Sequence, residues 1–128
     1  MRVSRAALER MRAEAEASAP EECCGLLLGN EALEEARPAL NVAADRRCRF
    51  EIDPQALVDA FRTARRGGPQ VIGYYHSHPD GPDGPSAIDR ALAAGDGKVW
   101  AVVGPHDVTF WRDDGQGFAR LSYVVEDR

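Results

Sequence analysis

The segment "GYYHSHPDGPDGPSAID", residues 73–89, places two imidazoles one residue apart, follows them with a Pro/Gly-rich loop, and then presents Ser86 and Asp89. Side chains alternate along an extended strand, so His76 and His78 project from one face with Ser77 opposite, and both imidazoles can converge on one point. Two histidines plus a carboxylate, with water in the fourth position, is a recurring catalytic zinc arrangement. Asp89 can supply the carboxylate if the turn and helix after Pro79 fold back. The same residues admit plainer readings. Ser86-Ala-Ile-Asp89 is also a capping box, in which Ser86 caps a helix and Asp89 reaches back from its third position. His76 and His78 can be strand-end residues with Pro79 ending the strand, and a lone H-x-H pair is weak ground for a metal.

The surrounding pattern predicts what would position these groups. Residues 4–17 carry Leu8, Met11 and Ala15 at helical spacing before Pro20, which predicts an amphipathic first helix. "CCGLLLG" (23–29) is a short apolar run bounded by glycine, as expected of a central strand. Leu33–Val42 and Cys48–Ile52 read as further strands. Asp53 as N-cap and Pro54 at the first helical position open a second helix, with Leu57, Val58 and Phe61 as its buried stripe and Gly67-Gly68 as its stop. "QVIGYYHSH" is β-rich, "SAIDRALAAG" a short helix, and "KVWAVVG", "DVTFWR" and "ARLSYVV" three more β-rich segments separated by turns. The expectation is a mixed α/β (α+β) fold: a largely antiparallel sheet flanked by helices, ending in a meander.

With 44% hydrophobic and 29% charged residues, the 128-residue chain fits one packed domain spanning 1–128 rather than a disordered or low-complexity segment. Sixteen basic against 21 acidic residues leave a net charge of -5, which repels phosphate backbones and argues against nucleic acid. Arg62, Arg65 and Arg66 read as a solvated helix end. The N-terminal stretch carries Glu9, Glu14 and Glu16 and no continuous apolar core, so neither an export signal nor a membrane span is expected. Three cysteines, two of them adjacent, do not make a disulfide framework and point to a reducing, cytoplasmic setting.

Taken together, Gly73, His76, Ser77, His78, Pro79, Ser86 and Asp89 resemble the signature of the JAMM/MPN+ (Mov34/MPN/PAD-1) zinc metalloproteases. That signature is H-[ST]-H-P followed by Ser and Asp, with ten residues, here 79–88, between the second His and the Asp. The family also places a Glu upstream, just before a glycine and an apolar strand. In "PEECCGLLLG" its spacing of two residues before the glycine selects Glu22, with Glu21 as the competing candidate. The resemblance runs from Pro20 to Asp89 and is closest to the compact prokaryotic form. It implies an MPN/JAMM (cytidine-deaminase-like) fold, with Zn2+ on His76, His78 and Asp89 and a water that Glu22 deprotonates as general base. Zinc lowers the pKa of such a water from 15.7 to about 7, which suits hydrolysis near neutrality. Ser86 would hydrogen-bond the oxyanion. The implied reaction is hydrolysis of a peptide or isopeptide bond at the C-terminal tail of a ubiquitin-like or sulfur-carrier protein. Such a substrate needs a groove for an extended, Gly-rich tail, for instance by addition to a sheet edge.

Two alternatives belong to other classes. One is a non-catalytic MPN-type interaction scaffold, against which the full set of candidate ligands argues. The other is a closed structural zinc site of Cys23, Cys24, His76 and His78, but adjacent cysteines lack the usual spacing of two to four residues. Cys24 is otherwise a small buried hydrophobe that faces the same way as Glu22. His106 in "GPHDV" reads as a turn residue, Asp80 and Asp83 as turn formers, and Trp100, Phe110 and Trp111 as core or sheet-face aromatics. Cys24→Ser separates the two zinc sites: elemental analysis should find about one zinc per chain retained, whereas loss of metal and of folding would establish the thiolate site.

Overall fold

The computed structural model describes residues 1–127. The elements are β1 (Arg2–Ser4), α1 (Arg5–Ser18), β2 (Cys24–Gly29), β3 (Glu35–Ala39), α2 (Pro54–Arg65), β4 (Gln70–Ser77), α3 (Ala87–Leu92), β5 (Val99–Val103), β6 (Val108–Asp113), β7 (Phe118–Leu121) and β8 (Val124–Glu126). Six strands form one sheet in the order β3-β2-β4-β5-β6-β7, while β1 and β8 form a separate parallel pair. Within the large sheet only β4 and β5 are parallel, and the other neighbours are antiparallel. Parallel neighbours need a crossover connection. Residues 78–98, including α3, make it, so the C-terminal end of β4 and the start of α3 lie at one end of the sheet.

The six residues of β2 are all buried, which explains their unbroken apolar run: helices cover both faces. Cys23 and Leu27 join Leu8 and Met11 of α1 in one core cluster with Tyr75, Val99, Ala101 and Phe110. Cys24, Leu26 and Leu28 face the other way, into a second cluster with Ile52, Ala60 and Val71. Gly25 is required where it stands, because a Cβ there would meet the Tyr75 ring at 2.4 Å and the Arg37 carbonyl at 2.3 Å. α1 is capped by Ser4, whose hydroxyl accepts the Ala7 N–H, and α2 by Asp53, which accepts the Gln55 N–H with Pro54 in the first turn.

The expected mixed, largely antiparallel sheet flanked by helices is present, with differences in detail. Cys48–Ile52 is not a strand and makes a single bridge, Asn41 to Ile52. Its backbone is held by the Asn41 side chain, which donates to the Arg49 carbonyl and accepts the Glu51 N–H in place of a ladder. The strand expected over Leu33–Val42 shortens to β3. On α2 the buried residue is Ala60, flanked by Ala56, Leu57 and Phe61, whereas Val58 lies outside that 3.6-residue stripe and is 46% exposed. "ARLSYVV" splits into β7 and β8, because β8 leaves the sheet to pair with β1, a partner more than 100 residues away in sequence. Among the described residues, no helix is long and apolar enough to cross a membrane.

Leu27 is fully buried in the core cluster between α1 and the sheet. Leu27→Ala is expected to lower unfolding free energy by about 3 kcal/mol, as core Leu→Ala cavities do, measured as a shift of the urea midpoint at constant slope.

Candidate metal centre

β4 ends by delivering its alternating side chains to two different jobs. Ser77 points to the α1 side, where its hydroxyl accepts the Cys23 N–H at 2.8 Å and ties β4 to the start of β2. His76 and His78 point the other way, and their Nε2 atoms lie 3.1 Å apart. Asp89, in the first turn of α3, sets its Oδ2 2.9 Å from His76 Nε2 and 3.0 Å from His78 Nε2. The expected convergence of two imidazoles and one carboxylate is therefore what the fold builds.

The capping box is equally real, and the two readings of Ser86 and Asp89 are not rivals. Ser86 Oγ accepts the Asp89 N–H at 3.1 Å while Asp89 Oδ2 accepts the Ser86 N–H at 2.8 Å. The cap thus fixes the carboxylate that meets the histidines, and it occupies Ser86 Oγ only as an acceptor, leaving the hydroxyl proton available to donate. His78 Nδ1 donates to the Pro82 carbonyl at 2.9 Å, which in the neutral ring leaves the Nε2 lone pair facing the cluster. His76 is fully buried beneath Phe50, stacked at 4.2 Å, and against the edge of Trp100.

Glu22 and Glu21 part company. Glu21 is half-buried and pairs with Arg46 at 3.2 Å, whereas Glu22 is buried with Oε1 lacking a hydrogen-bond partner. A donor atom of Glu22 and those of His76 and His78 all lie within 4.8 Å of one another. The Glu22 main chain is anchored on both sides, its N–H donating to the Arg46 carbonyl and its carbonyl accepting Asn41 Nδ2. Glu22, His78 and Ser86 share a cleft of about 310 Å³ with Pro20, Cys48 and Pro79.

The electrostatics follow from burial and proximity. Burial pushes the Glu22 carboxyl up to about 7, opposed by His78 and reinforced by Asp89 and Asp45. Asp89 is held well below the usual carboxylate range: burial opposes its charge, and the two histidines and the Ser86 N–H outweigh it. Burial holds His76 below the usual histidine range against the pull of Asp89. For His78, burial is overcome by Asp89, the Pro82 carbonyl and Glu22, which together raise it.

The two imidazole nitrogens and the Asp89 oxygen lie 2.9–3.1 Å apart, a spacing at which each contact is held by a shared proton or by a cation among the three, because bare lone pairs at that distance repel. Donors around a tetrahedral ion bonded at about 2.0–2.1 Å are themselves about 3.3 Å apart, so the spacing and the N, N, O donor set fit a metal of the zinc class. The thiolate alternative finds no support: Cys23 belongs to the α1-side core, and Cys24 Sγ is directed to the Ala39 and Leu40 carbonyls. His106 is exposed on the β5–β6 turn, and Trp100 and Phe110 are buried, as expected. Phe50 and the Pro82 carbonyl were not foreseen, since neither an aromatic in an irregular segment nor a main-chain acceptor leaves a sequence signal. Asp83, read as a turn former, instead bonds across to the β5–β6 turn.

Residues 4–114 match the family described as prokaryotic homologs of the JAB domain. A desampylase of Haloferax volcanii is 35% identical over 123 residues, covering 93% of this chain and 88% of that protein. A Thermus thermophilus protein described as a probable TtuB-protein conjugate cleaving protease is 38% identical over 87 residues, 68% of this chain and 59% of that one. The solution structure of a Desulfitobacterium hafniense protein superposes with a TM-score of 0.87 at 25% identity, covering 100% of this chain and 94% of the other. With these likenesses added to the geometry at the end of β4, the chain belongs to the prokaryotic JAB (JAMM/MPN) family.

Proposed function

We propose that the protein is a zinc-dependent isopeptidase that hydrolyses the amide bond joining the C-terminal tail of a ubiquitin-like or sulfur-carrier protein to its partner. The observation that carries this reading is the convergence of His76 Nε2, His78 Nε2 and Asp89 Oδ2 beside a buried carboxyl, Glu22, whose Oε1 has no partner. His76, His78 and Asp89 hold the ion. When bound, zinc supplies a Lewis-acidic charge that polarises a carbonyl and makes water a stronger acid.

The chain's own residues do the rest. Glu22 takes a proton from the attacking water and passes it to the leaving nitrogen, so that one carboxyl serves as base and then acid. Its upward shift to about 7 matches that double duty near neutral pH. Ser86, with Oγ committed to the cap only as acceptor, donates its hydroxyl proton to the oxygen of the tetrahedral carbon. Phe50 and Trp100 wall His76 off from solvent and fix its ring.

The substrate class is supported by the two relatives, one a desampylase and one described as cleaving TtuB-protein conjugates. A second groove, lined by Glu14, Ser18, Glu22, Leu40, Asn41 and Val42, runs from Glu22 to the outer strand β3. Leu40 and Val42 are exposed there, and β3 ends the sheet. An extended tail can therefore add along that edge and bring its last carbonyl toward Glu22. The free cysteines are in keeping with a reducing compartment, and we propose the cytoplasm as the site of action.

Metal content, turnover and unfolding of variants test the mechanism. Elemental analysis should give about one zinc per chain in both the parent and Glu22→Gln, and well under that in Asp89→Asn, consistent with a single three-ligand site. On a carrier-protein fusion only the parent should cleave, and prior treatment with a chelator should abolish its activity; equal cleavage by Glu22→Gln removes that residue from the reaction. Ser86→Ala should lower kcat by about 100-fold while leaving zinc bound, the scale of losing one oxyanion donor. Its loss of the cap should cost about 1 kcal/mol of stability, read separately by thermal unfolding.

A further inference from the structure

We infer that Asp83 is a positioning residue for His78, holding the Pro82 carbonyl where it fixes the proton on the imidazole. The inference rests on the proposed metal centre, since its consequence is the presentation of His78 Nε2 to the ion.

His78 depends on a loop that cannot hold itself. Residues 79–85 include Gly81 and Gly84, and among the described residues no backbone–backbone hydrogen bond is made by any of them. Yet the orientation of one peptide in this loop matters, because the Pro82 carbonyl accepts His78 Nδ1 at 2.9 Å. A ligating histidine whose other nitrogen is held this way keeps one tautomer and one ring angle.

What restrains the loop is the residue next to that carbonyl. Asp83 Oδ1 accepts the His106 N–H at 3.0 Å, and the Asp83 carbonyl accepts the Thr109 hydroxyl. Thr109 is buried, and its oxygen is oriented in turn by Trp111 Nε1 at 2.7 Å. Asp83 is thus clamped at its side chain and its main chain to β6 and the β5–β6 turn, and the Pro82–Asp83 peptide between clamp and histidine has little freedom. The turn is shaped to receive it. A Cβ on Gly104 would lie 2.1 Å from Asp83 Oδ1 and 2.4 Å from its Cα, so any other residue there evicts Asp83. The end of β5, just before that turn, holds the His78 main chain, whose N–H donates to the Val103 carbonyl at 2.9 Å. β6 therefore reaches the centre without contributing a ligand.

The test uses the full chain as parent, Asp83→Ala, Asp83→Asn and Gly104→Ala. Zinc affinity is measured by competition with a chromogenic chelator, and the His78 tautomer by two-bond nitrogen–proton correlation spectra of the metal-free protein. Asp83→Ala and Gly104→Ala should bind zinc about 10- to 100-fold more weakly than the parent, the range seen when an outer partner of a ligand is lost. Their His78 spectra should show mixed tautomers where the parent shows Nδ1–H, with melting temperatures close to the parent's. Asp83→Asn keeps an oxygen acceptor for His106 and should restore affinity to within about threefold of the parent. Parental affinity and tautomer in either Asp83→Ala or Gly104→Ala overturn the inference while leaving the metal centre intact. A parent that takes up no zinc overturns the metal centre and the inference with it.

Discussion

Everything about this fold's functional end turns on burying an ionised carboxylate. Asp89 is only 2% exposed, and an isolated charge taken from water is far too costly to keep unless it is paired and hydrogen-bonded. The structure meets that demand with the Ser86 N–H and two imidazole nitrogens converging on one oxygen. The same three atoms are those proposed to hold the metal, so the pairing that stabilises the buried carboxylate also assembles the donor set. Stability and metal recruitment are thus two aspects of a single electrostatic problem.

Topology makes the solution possible. Because β4 and β5 are parallel, the chain must leave the end of β4, cross over through α3 and return, which brings the first turn of α3 beside the last residues of β4. The strand contributes its period of two, placing His76 and His78 on one face and Ser77 on the other. The helix contributes its cap, which orients Asp89 before any metal binds. Glu22 comes from the neighbouring strand's entrance, aligned because Cys24 and His76 are register partners in the β2–β4 ladder. Glu22, His76, His78 and Asp89, from three elements, therefore meet at one cleft on the α2-side face.

Burial also sorts acids that look alike in composition. Glu21 and Glu22 are neighbours, yet one forms an exposed ion pair and the other sits with an unpartnered oxygen and a pKa pushed up to about 7. A group in that state is poised to exchange a proton near neutrality. The aromatic wall of Phe50 and Trp100 sharpens the effect by keeping water from His76.

Local pattern was enough to read much of this from the amino acids alone. The apolar run at 23–29, the Asp53-Pro54 helix start, the H-x-H strand end and the Ser86–Asp89 box are each short-range signals, and each appears where its spacing put it. What needed the tertiary structure was whatever depends on residues far apart in the chain. The pairing of β8 with β1, the side-chain support that replaces a strand at 48–52, the stacking of Phe50 on His76 and the clamp on Asp83 all join segments with no shared periodicity. Sequence spacing determines which way a side chain leaves its own element; only the packing of elements decides what it meets, because burial and proximity are properties of the folded chain and not of its order.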